Sequence, residues 1–324
     1  MTLPISWDDV VAARARIARH IPATPLRHYA ALDAEVGLGI RVLVKHENHL
    51  PTNAFKARNA MSFMTALEPA QRTRGVVAAT RGNHGAGLAW AGTQLGVPVV
   101  ICVPHGNNPE KNAAMRGFGA ELVEAGRDYD EAVEIAQRLV RERGLVMAHS
   151  TNDAHVIAGA ATLGAELCEQ ADALDAIVVA VGGGSQAVGA LAATRALRPH
   201  VAVYGVQARG AAAIHDSWHA KARLARDSAD TFADGLATRA TYDMTWPALS
   251  DGLAGFVAVE DAAIAEAIRV LMRTTHNLAE GAGAAGLAGL FALRESLAHK
   301  TVAIVLSGSN IDETTLRRVL SRKL

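Results

Sequence analysis

An open, mostly parallel α/β sheet covered by helices on both faces is what the pattern of this chain calls for, and three observations lead there. Seven short β-rich runs alternate with helical stretches, several of those runs are apolar on successive residues, and three of them end in glycine-rich turns. Strands apolar on successive residues belong to sheets buried on both faces. Composition agrees: 50% of the 324 residues are hydrophobic and 20% charged, with 29 glycines and only 4% aromatics. Such a core is built from Ala, Val, Leu and Ile around many tight turns. The length suits two domains of ordinary size or one large α/β unit.

Along the chain, Ser6 and Asp9 form a capping-box pattern, and Val10, Ala13, Ile17 and Ile21 follow at near-helical spacing until Pro22 stops the run. Strands are expected at Arg41 to Lys45, Val76 to Thr80, Val99 to Val103, Ile177 to Val181, Val201 to Val206, Phe256 to Val259 and Thr301 to Leu306. Between them Tyr129, Ala132, Val133, Ala136 and Val140 trace one helical face, and Ile264, Ala267, Ile268 and Leu271 another. Two uncharged stretches, Gly85 to Pro104 and Ala176 to Thr194, are long enough for a membrane span. Internal glycines or Pro98 break each of them, so each reads as a strand and a helix joined by a turn. No Pro/Ser-rich linker, repeat or low-complexity tract separates two domains, so two domains must share the chain by crossing over.

Lys+Arg and Asp+Glu number 32 each and are interspersed, leaving no electrostatic footprint for nucleic acid or an anionic membrane. Cys102 and Cys168 are too few for a disulfide framework and lack metal-ligand spacing, which points to a reducing compartment, the cytoplasm. The N-terminal M-T-L-P-I-S-W-D-D puts Asp8 and Asp9 where a signal peptide needs hydrocarbon, so no export is expected.

The glycine-rich turns are Arg81-Gly82-Asn83-His84-Gly85, Gly182-Gly183-Gly184-Ser185 and Ser307-Gly308-Ser309-Asn310. In a parallel sheet, ligands gather at the carboxyl ends of strands, where such turns leave backbone N–H groups free. The Gly182 turn runs into a helical segment, Gln186 to Thr194, so a phosphate held by its amides would also face a helix N-terminus. Gly182 to Ala187 also fits the dinucleotide fingerprint, but the following strand ends at Gln207 with no acid to hold a ribose, which argues against a nicotinamide cofactor. His215 and His219 echo a zinc-protease helix, yet the intervening acid is Asp216 and no third ligand is evident. They read as helical-surface histidines.

The remaining centre is Lys45-His46-Glu47-Asn48-His49-Leu50-Pro51-Thr52-Asn53-Ala54-Phe55-Lys56-Ala57-Arg58. Lys56 follows a polar turn, stands beside the apolar wall of Phe55 and opens an Ala/Met-rich helical stretch. A lysine so placed can have a depressed pKa and form a Schiff base. His46 and His49 have no assigned role.

P-T-N-A-F-K-A-R-N-A resembles the lysine motif of the fold-type II pyridoxal-phosphate (PLP) enzymes, specifically the threonine/serine dehydratase and serine racemase group. T-P-L at Thr24, T-R-G-N-H-G at Thr80, V-I-A-G-A-A-T at Val156, V-G-G-G-S at Val181, A-D-G-L at Ala233, A-E-G-A-G at Ala279 and L-S-G-S-N at Leu306 follow in that group's order and spacing, across essentially the whole chain. The resemblance implies two open, twisted, mostly parallel sheets with helices on both faces, as in the tryptophan synthase β architecture. It also implies a large PLP-binding domain of residues 1–72 and 149–324 and a small substrate-loop domain of residues 73–148.

By the same resemblance Lys56 carries the cofactor and later acts as the base at Cα. Gly182, Gly183, Gly184 and Ser185 bind its phosphate, Phe55 and Gly235 flank its ring, Asn83 bonds its phenolic oxygen, Ser307 faces its ring nitrogen, and Glu280 lies on the cofactor side. The loop Arg81, Gly82, Asn83, His84 and Gly85 holds the substrate carboxylate. A hydroxyl at Ser307 favours prompt loss of a β-substituent over transamination. The implied reaction is removal of the β-hydroxyl from a small hydroxy amino acid, L-threonine and secondarily L-serine, releasing a 2-oxo acid and ammonia, in a homodimer or homotetramer.

Two positions depart from the pattern. Arg81 stands where serine racemases carry a hydroxyl acting from the opposite face, which weakens an isomerase reading. If it reaches the pocket, it can pair a second substrate carboxylate, as on 3-hydroxyaspartate. Gln207 stands where some relatives carry a cation-binding glutamate, so no essential divalent ion is expected. With nothing beyond Leu324 for a regulatory domain, feedback by an amino acid is not expected.

Overall fold

β-Branched runs decide the sheets. The computed structural model describes residues 2–324, and its strands are β1 Leu26–His28, β2 Arg41–His46, β3 Val76–Ala79, β4 Val99–Val103, β5 Glu121–Glu124, β6 Val146–Met147, β7 Ala176–Ala180, β8 Ala202–Ala208, β9 Gly255–Val259 and β10 Thr301–Leu306. β4 and β7 are buried at every position, as strands sandwiched between helical layers must be.

Two sheets result. One runs β1-β2-β10-β7-β8-β9 and the other β5-β4-β3-β6. All pairings are parallel except that of the edge strand β1, which meets β2 antiparallel with Leu26 opposite Lys45. The four-stranded sheet takes its strands from residues 76–147 alone, whereas the six-stranded sheet draws on both sides of that segment. The chain thus leaves the larger sheet after β2 and returns at β7. No helix among the described residues is long and apolar enough to cross a membrane.

Small residues let the helices approach closely. On helix Ser185–Leu197 a Cβ at Gly189 would fall 2.7 Å from the Ala161 amide nitrogen of helix Ala154–Gln170, so only glycine fits that crossing. Helix Trp7–Ile17 carries the expected capping box, with the Asp9 amide donating to Ser6 Oγ at 3.2 Å and the Ser6 amide to Asp9 Oδ2 at 2.8 Å. It ends at Ile17, and Ile21 is buried beyond it, so the apolar spacing outlasts the helix by one turn. Helix Tyr129–Arg143 buries Ala132 and Ala136 as expected, but Tyr129 is 37% exposed and is no core residue.

A buried ion network locks the larger body behind the lysine segment. Arg58 donates to Glu47 Oε2 at 2.7 Å and to both oxygens of Glu166 at 2.6 and 2.8 Å, while Lys45 Nζ donates to Glu166 Oε2 at 2.7 Å and to the Thr24 carbonyl at 2.8 Å. Thr24 Oγ1 closes the ring by donating to Glu47 Oε1 at 2.7 Å. Burial alone would raise the Glu166 carboxyl's pKa, but the bonds and charge of Arg58, with the charge of Lys45, hold it below the ordinary value. Two cations and two anions therefore neutralise one another out of water, joining β2, the lysine helix and helix Ala154–Gln170. Breaking such a network leaves uncompensated buried charge. Arg58→Met is expected to lower unfolding free energy by about 3–5 kcal/mol, measured by urea denaturation of wild type and variant; a change below about 1 kcal/mol contradicts this role.

Candidate active site

The carboxyl ends of β10, β7 and β3 open toward one cleft, each continuing into one of the three glycine-rich turns. Direct contacts join them. The Phe55 amide donates to the Ser307 carbonyl at 2.9 Å, Ala54 bridges Gly308, and the Glu280 amide donates to the Gly308 carbonyl at 3.1 Å. Those bonds fix the start of helix Lys56–Ala66 against the end of β10.

The Gly182 turn is a cradle of backbone. Gly184 has φ +100°, a conformation that side chains rarely adopt, and a Cβ there would press on Leu249 and Thr245. A Cβ at Gly183 would enter the Thr151 side chain, and one at Gly182 would enter the Gly235 carbonyl. Thr245 Oγ1 donates to the Gly183 carbonyl at 2.8 Å, which pins that peptide of the turn. Buried Ser185 opens helix Ser185–Leu197, and neighbouring Gln186 keeps a buried amide nitrogen without a partner. From the lysine helix, Asn59 reaches Ser185 Oγ at 3.4 Å, placing the cradle one helical turn from Lys56.

Lys56 Nζ donates to the Ser150 carbonyl at 2.8 Å and lies 5.0 Å from the centroid of the Phe55 ring. Its environment holds no carboxylate: burial pushes its pKa from 10.5 down to about 8, and nothing pulls it back. Buried His84 donates from Nε2 to the Ala148 carbonyl at 3.0 Å, and burial, then the Lys56 charge, brings its pKa down to about 3. His149 is depressed for the same two reasons in the same order. Neutral imidazoles and a weakly basic amine therefore share the site.

Asn83, first residue of helix Asn83–Leu95, donates to Glu280 Oε1 at 2.6 Å and accepts from Asn310 Nδ2 at 2.8 Å, so three turns meet at its amide. Burial raises the Glu280 pKa, against the Lys111 charge and the Asn83 bond. Gly85 sits where a Cβ would strike Met115, Thr80 and Ile101, which seats the helix start on its own sheet. Gly82 donates its amide to Thr80 Oγ1 at 3.2 Å. The His84 side chain turns into the interior. Arg81 is exposed and borders a cavity of about 460 Å³ whose lining includes Gly235 and Glu280, though not Lys56.

Residues that sequence reasoning passed over also gather here. His149 meets the Tyr242 ring edge-on with centroids 5.6 Å apart, Ser150 holds Lys56, and Asn310 ties Asn83 to the Thr52 carbonyl at 2.8 Å. Asn310 stood in a quoted turn, whereas His149 and Tyr242 carry no local signal. His215 and His219 bind no common centre: His215 Nδ1 meets Asp216 at 3.0 Å and His219 Nε2 meets the Phe256 carbonyl at 3.0 Å. Gln207 is fully buried and accepts from the His215 amide at 3.0 Å, a structural use of its oxygen.

A weakly basic amine beside a backbone cradle for an anion is the donor set that an aldehyde phosphate requires. Fold and site thus define a lysine-dependent α/β enzyme that uses a phosphorylated cofactor. The profile described as "Pyridoxal-phosphate dependent enzyme" matches residues 17–308, and the chain belongs to that family. It is 37% identical to the L-threonine ammonia-lyase of Geobacter sulfurreducens over 99% of this chain and 79% of that protein. It is 33% identical to the L-threo-3-hydroxyaspartate ammonia-lyase of a Pseudomonas species over 95% of this chain and 96% of that protein. Maize serine racemase superposes with a TM-score of 0.92 at 29% identity, covering 99% of this chain and 98% of that one. The resemblance to the fold-type II threonine/serine dehydratase group is borne out, as are the two mostly parallel sheets and the cofactor.

With a pKa of about 8, the Lys56 amine is about one-quarter neutral at pH 7.5, against about a thousandth for an ordinary lysine. Its protonated form dominates below pH 8 and its nucleophilic form above. In the cofactor-free protein, acetic anhydride labelling followed by peptide mapping is expected to give Lys56 a pH midpoint near 8. A midpoint at the ordinary lysine value contradicts the account.

Proposed function

We propose that this protein is a PLP-dependent ammonia-lyase that converts L-threonine, and secondarily L-serine, to a 2-oxo acid and ammonia. The observation that carries the reading is the Lys56 amine, lowered to about 8 by burial alone and set one helical turn from the glycine cradle. The Geobacter and Pseudomonas relatives, both ammonia-lyases by name, support the reaction class.

In this reading Gly182, Gly183, Gly184 and Ser185 hold the cofactor phosphate, Phe55 and Gly235 flank its ring, and Asn83, Glu280 and Ser307 line its polar edge. When bound, the cofactor supplies an electron-withdrawing ring that makes the Cα proton of an attached amino acid acidic. Lys56 receives that proton at Nζ, and its depressed pKa keeps a usable fraction unprotonated near neutrality. The first turn of helix Asn83–Leu95 offers backbone amides and a helix N-terminus to the substrate carboxylate. Ser307 offers a neutral hydroxyl where a carboxylate would stabilise added positive charge, which favours departure of the β-hydroxyl. Residues 73–148 act as the small substrate-loop domain and residues 1–72 with 149–324 as the large cofactor domain; the separate four-stranded sheet supports this division.

Serine isomerisation has the likeness to maize serine racemase in its favour. Against it stands Arg81, whose guanidinium offers hydrogen-bond donors and no acceptor, so it cannot take a proton from a second face. Lys56→Ala is expected to abolish 2-oxo acid formation from L-threonine while leaving the circular dichroism spectrum intact. Normal turnover by that variant refutes the assignment, and racemised serine recovered in excess of 2-oxo acid favours the isomerase.

A further inference from the structure

A lysine that takes up a proton away from bulk water needs an acceptor for the ammonium it becomes. For Lys56 that acceptor is the Ser150 carbonyl, 2.8 Å from Nζ. Ser150 lies in the short stretch through which the chain returns from β6 to helix Ala154–Gln170, and residues 148–153 have no helical or strand conformation of their own. Side chains must therefore hold that carbonyl in place.

The Ser150 carbonyl and the Thr151 N–H belong to one peptide unit, and the described residues include no cis peptide bond. In a planar trans peptide the N–H and the C=O point in opposite directions. Whatever holds the Thr151 N–H consequently aims the Ser150 oxygen. His149 Nδ1 does so, accepting from the Thr151 amide at 3.0 Å and from the Asn152 amide at 2.7 Å. A ring nitrogen that accepts carries no proton, which puts the hydrogen of the neutral imidazole on Nε2. Burial, and next the charge of Lys56, favour the neutral ring against the opposing charge of Asp153, while the Tyr242 ring lies edge-on to it.

The stretch is anchored on both sides of this peptide. Before it, His84 Nε2 donates to the Ala148 carbonyl at 3.0 Å and the Ala148 amide donates to the Val77 carbonyl at 2.8 Å. After it, Asp153 caps the next helix by accepting from the Val156 amide at 3.0 Å, and Asn152 Oδ1 accepts from the Met244 amide at 2.9 Å. The Thr151 side chain packs against Gly183 of the cradle. One imidazole thus sits where the lysine's acceptor, the cradle and the segment that carries Thr245 come together.

We propose that His149 is a positioning residue for the proton-accepting lysine: by holding the Thr151 N–H at Nδ1, it aims the Ser150 carbonyl at Lys56 Nζ. Its consequence for turnover rests on the ammonia-lyase reading, whereas its consequence for Lys56 itself does not. Losing the carbonyl disfavours the ammonium, so the amine becomes a weaker base and receives the Cα proton less readily.

The test exploits the difference between two amides. Asparagine places its oxygen where Nδ1 stands, and glutamine places its oxygen one bond further out, so His149→Asn keeps the acceptor and His149→Gln moves it. Against the wild-type holoenzyme, His149→Gln is expected to lower kcat for L-threonine at least about tenfold with KM within about threefold, and His149→Asn to stay within about threefold in both. In the cofactor-free protein, the pH midpoint for acetylation of Lys56 is expected to stay near 8 in His149→Asn and to fall by at least about 0.5 in His149→Gln. Long-range ¹H–¹⁵N correlation of the wild-type protein near neutral pH, with the His149 signals identified as those missing from His149→Asn, is expected to show the ring proton on Nε2. A proton on Nδ1 or a charged ring overturns the proposal without any variant, as does a wild-type midpoint in His149→Gln or an equal loss in both variants. Should no hydroxy amino acid yield a 2-oxo acid, the lyase reading fails separately, and the tautomer and the Lys56 midpoint still decide the role of His149.

Discussion

An amine shielded from water without a counter-ion beside it is the constraint on which this molecule turns. Lys45 and Lys56 lie on either side of one short segment; Lys45 is fully buried and Lys56 half-buried, and in both burial is the chief influence lowering the pKa of the amine. Glu166 stands 2.7 Å from Lys45, whereas Lys56 has only a carbonyl to bond. That difference divides a structural lysine from a reactive one. Withholding the carboxylate lowers the cost of the neutral amine relative to the ammonium, the condition for nucleophilic and basic work near neutral pH.

Holding an unpaired amine in place requires rigidity elsewhere, and the ion network of Arg58, Glu47, Lys45 and Glu166 supplies it two residues along the same helix. The polar junction of Asn83, Glu280 and Asn310 does the corresponding work across the cleft, tying the loop after β3 to those after β10 and before helix Gly281–Leu293. Between the two lies the glycine cradle, whose close contacts with Gly235 and Thr151 allow no side chain. Charge is thus neutralised behind the lysine, left open beside it and supplied as backbone dipoles opposite it.

Much of this was legible in the linear chain. β4 and β10 lie where short apolar runs rich in β-branched residues put them, and the capping box of Ser6 and Asp9 marks the first helix because both partners are local in sequence. β1, β5 and β6 were not legible: they are two to four residues long, β1 and β5 carry charged residues, and all three owe their conformation to a neighbouring strand and not to their own composition. The apolar spacing through Ile21 failed for a related reason, since burial beyond a helix end looks the same as burial within it. Tyr129 falls on the same helical repeat as buried Ala132 and Ala136, yet as the first residue of its helix it stays 37% exposed, because no preceding turn packs beside it. The pairs Arg58–Glu166 and Lys45–Glu166 span more than a hundred residues, and no local pattern signals them.

The most direct test of the account is reduction of the PLP-loaded protein with borohydride followed by peptide mapping. Stable attachment of the cofactor to the peptide containing Lys56 is the expected result. Attachment to any other lysine, Lys45 included, or retention of cofactor with no lysine modified, contradicts the claim that the Lys56 amine, shielded from water without a carboxylate partner, carries the chemistry.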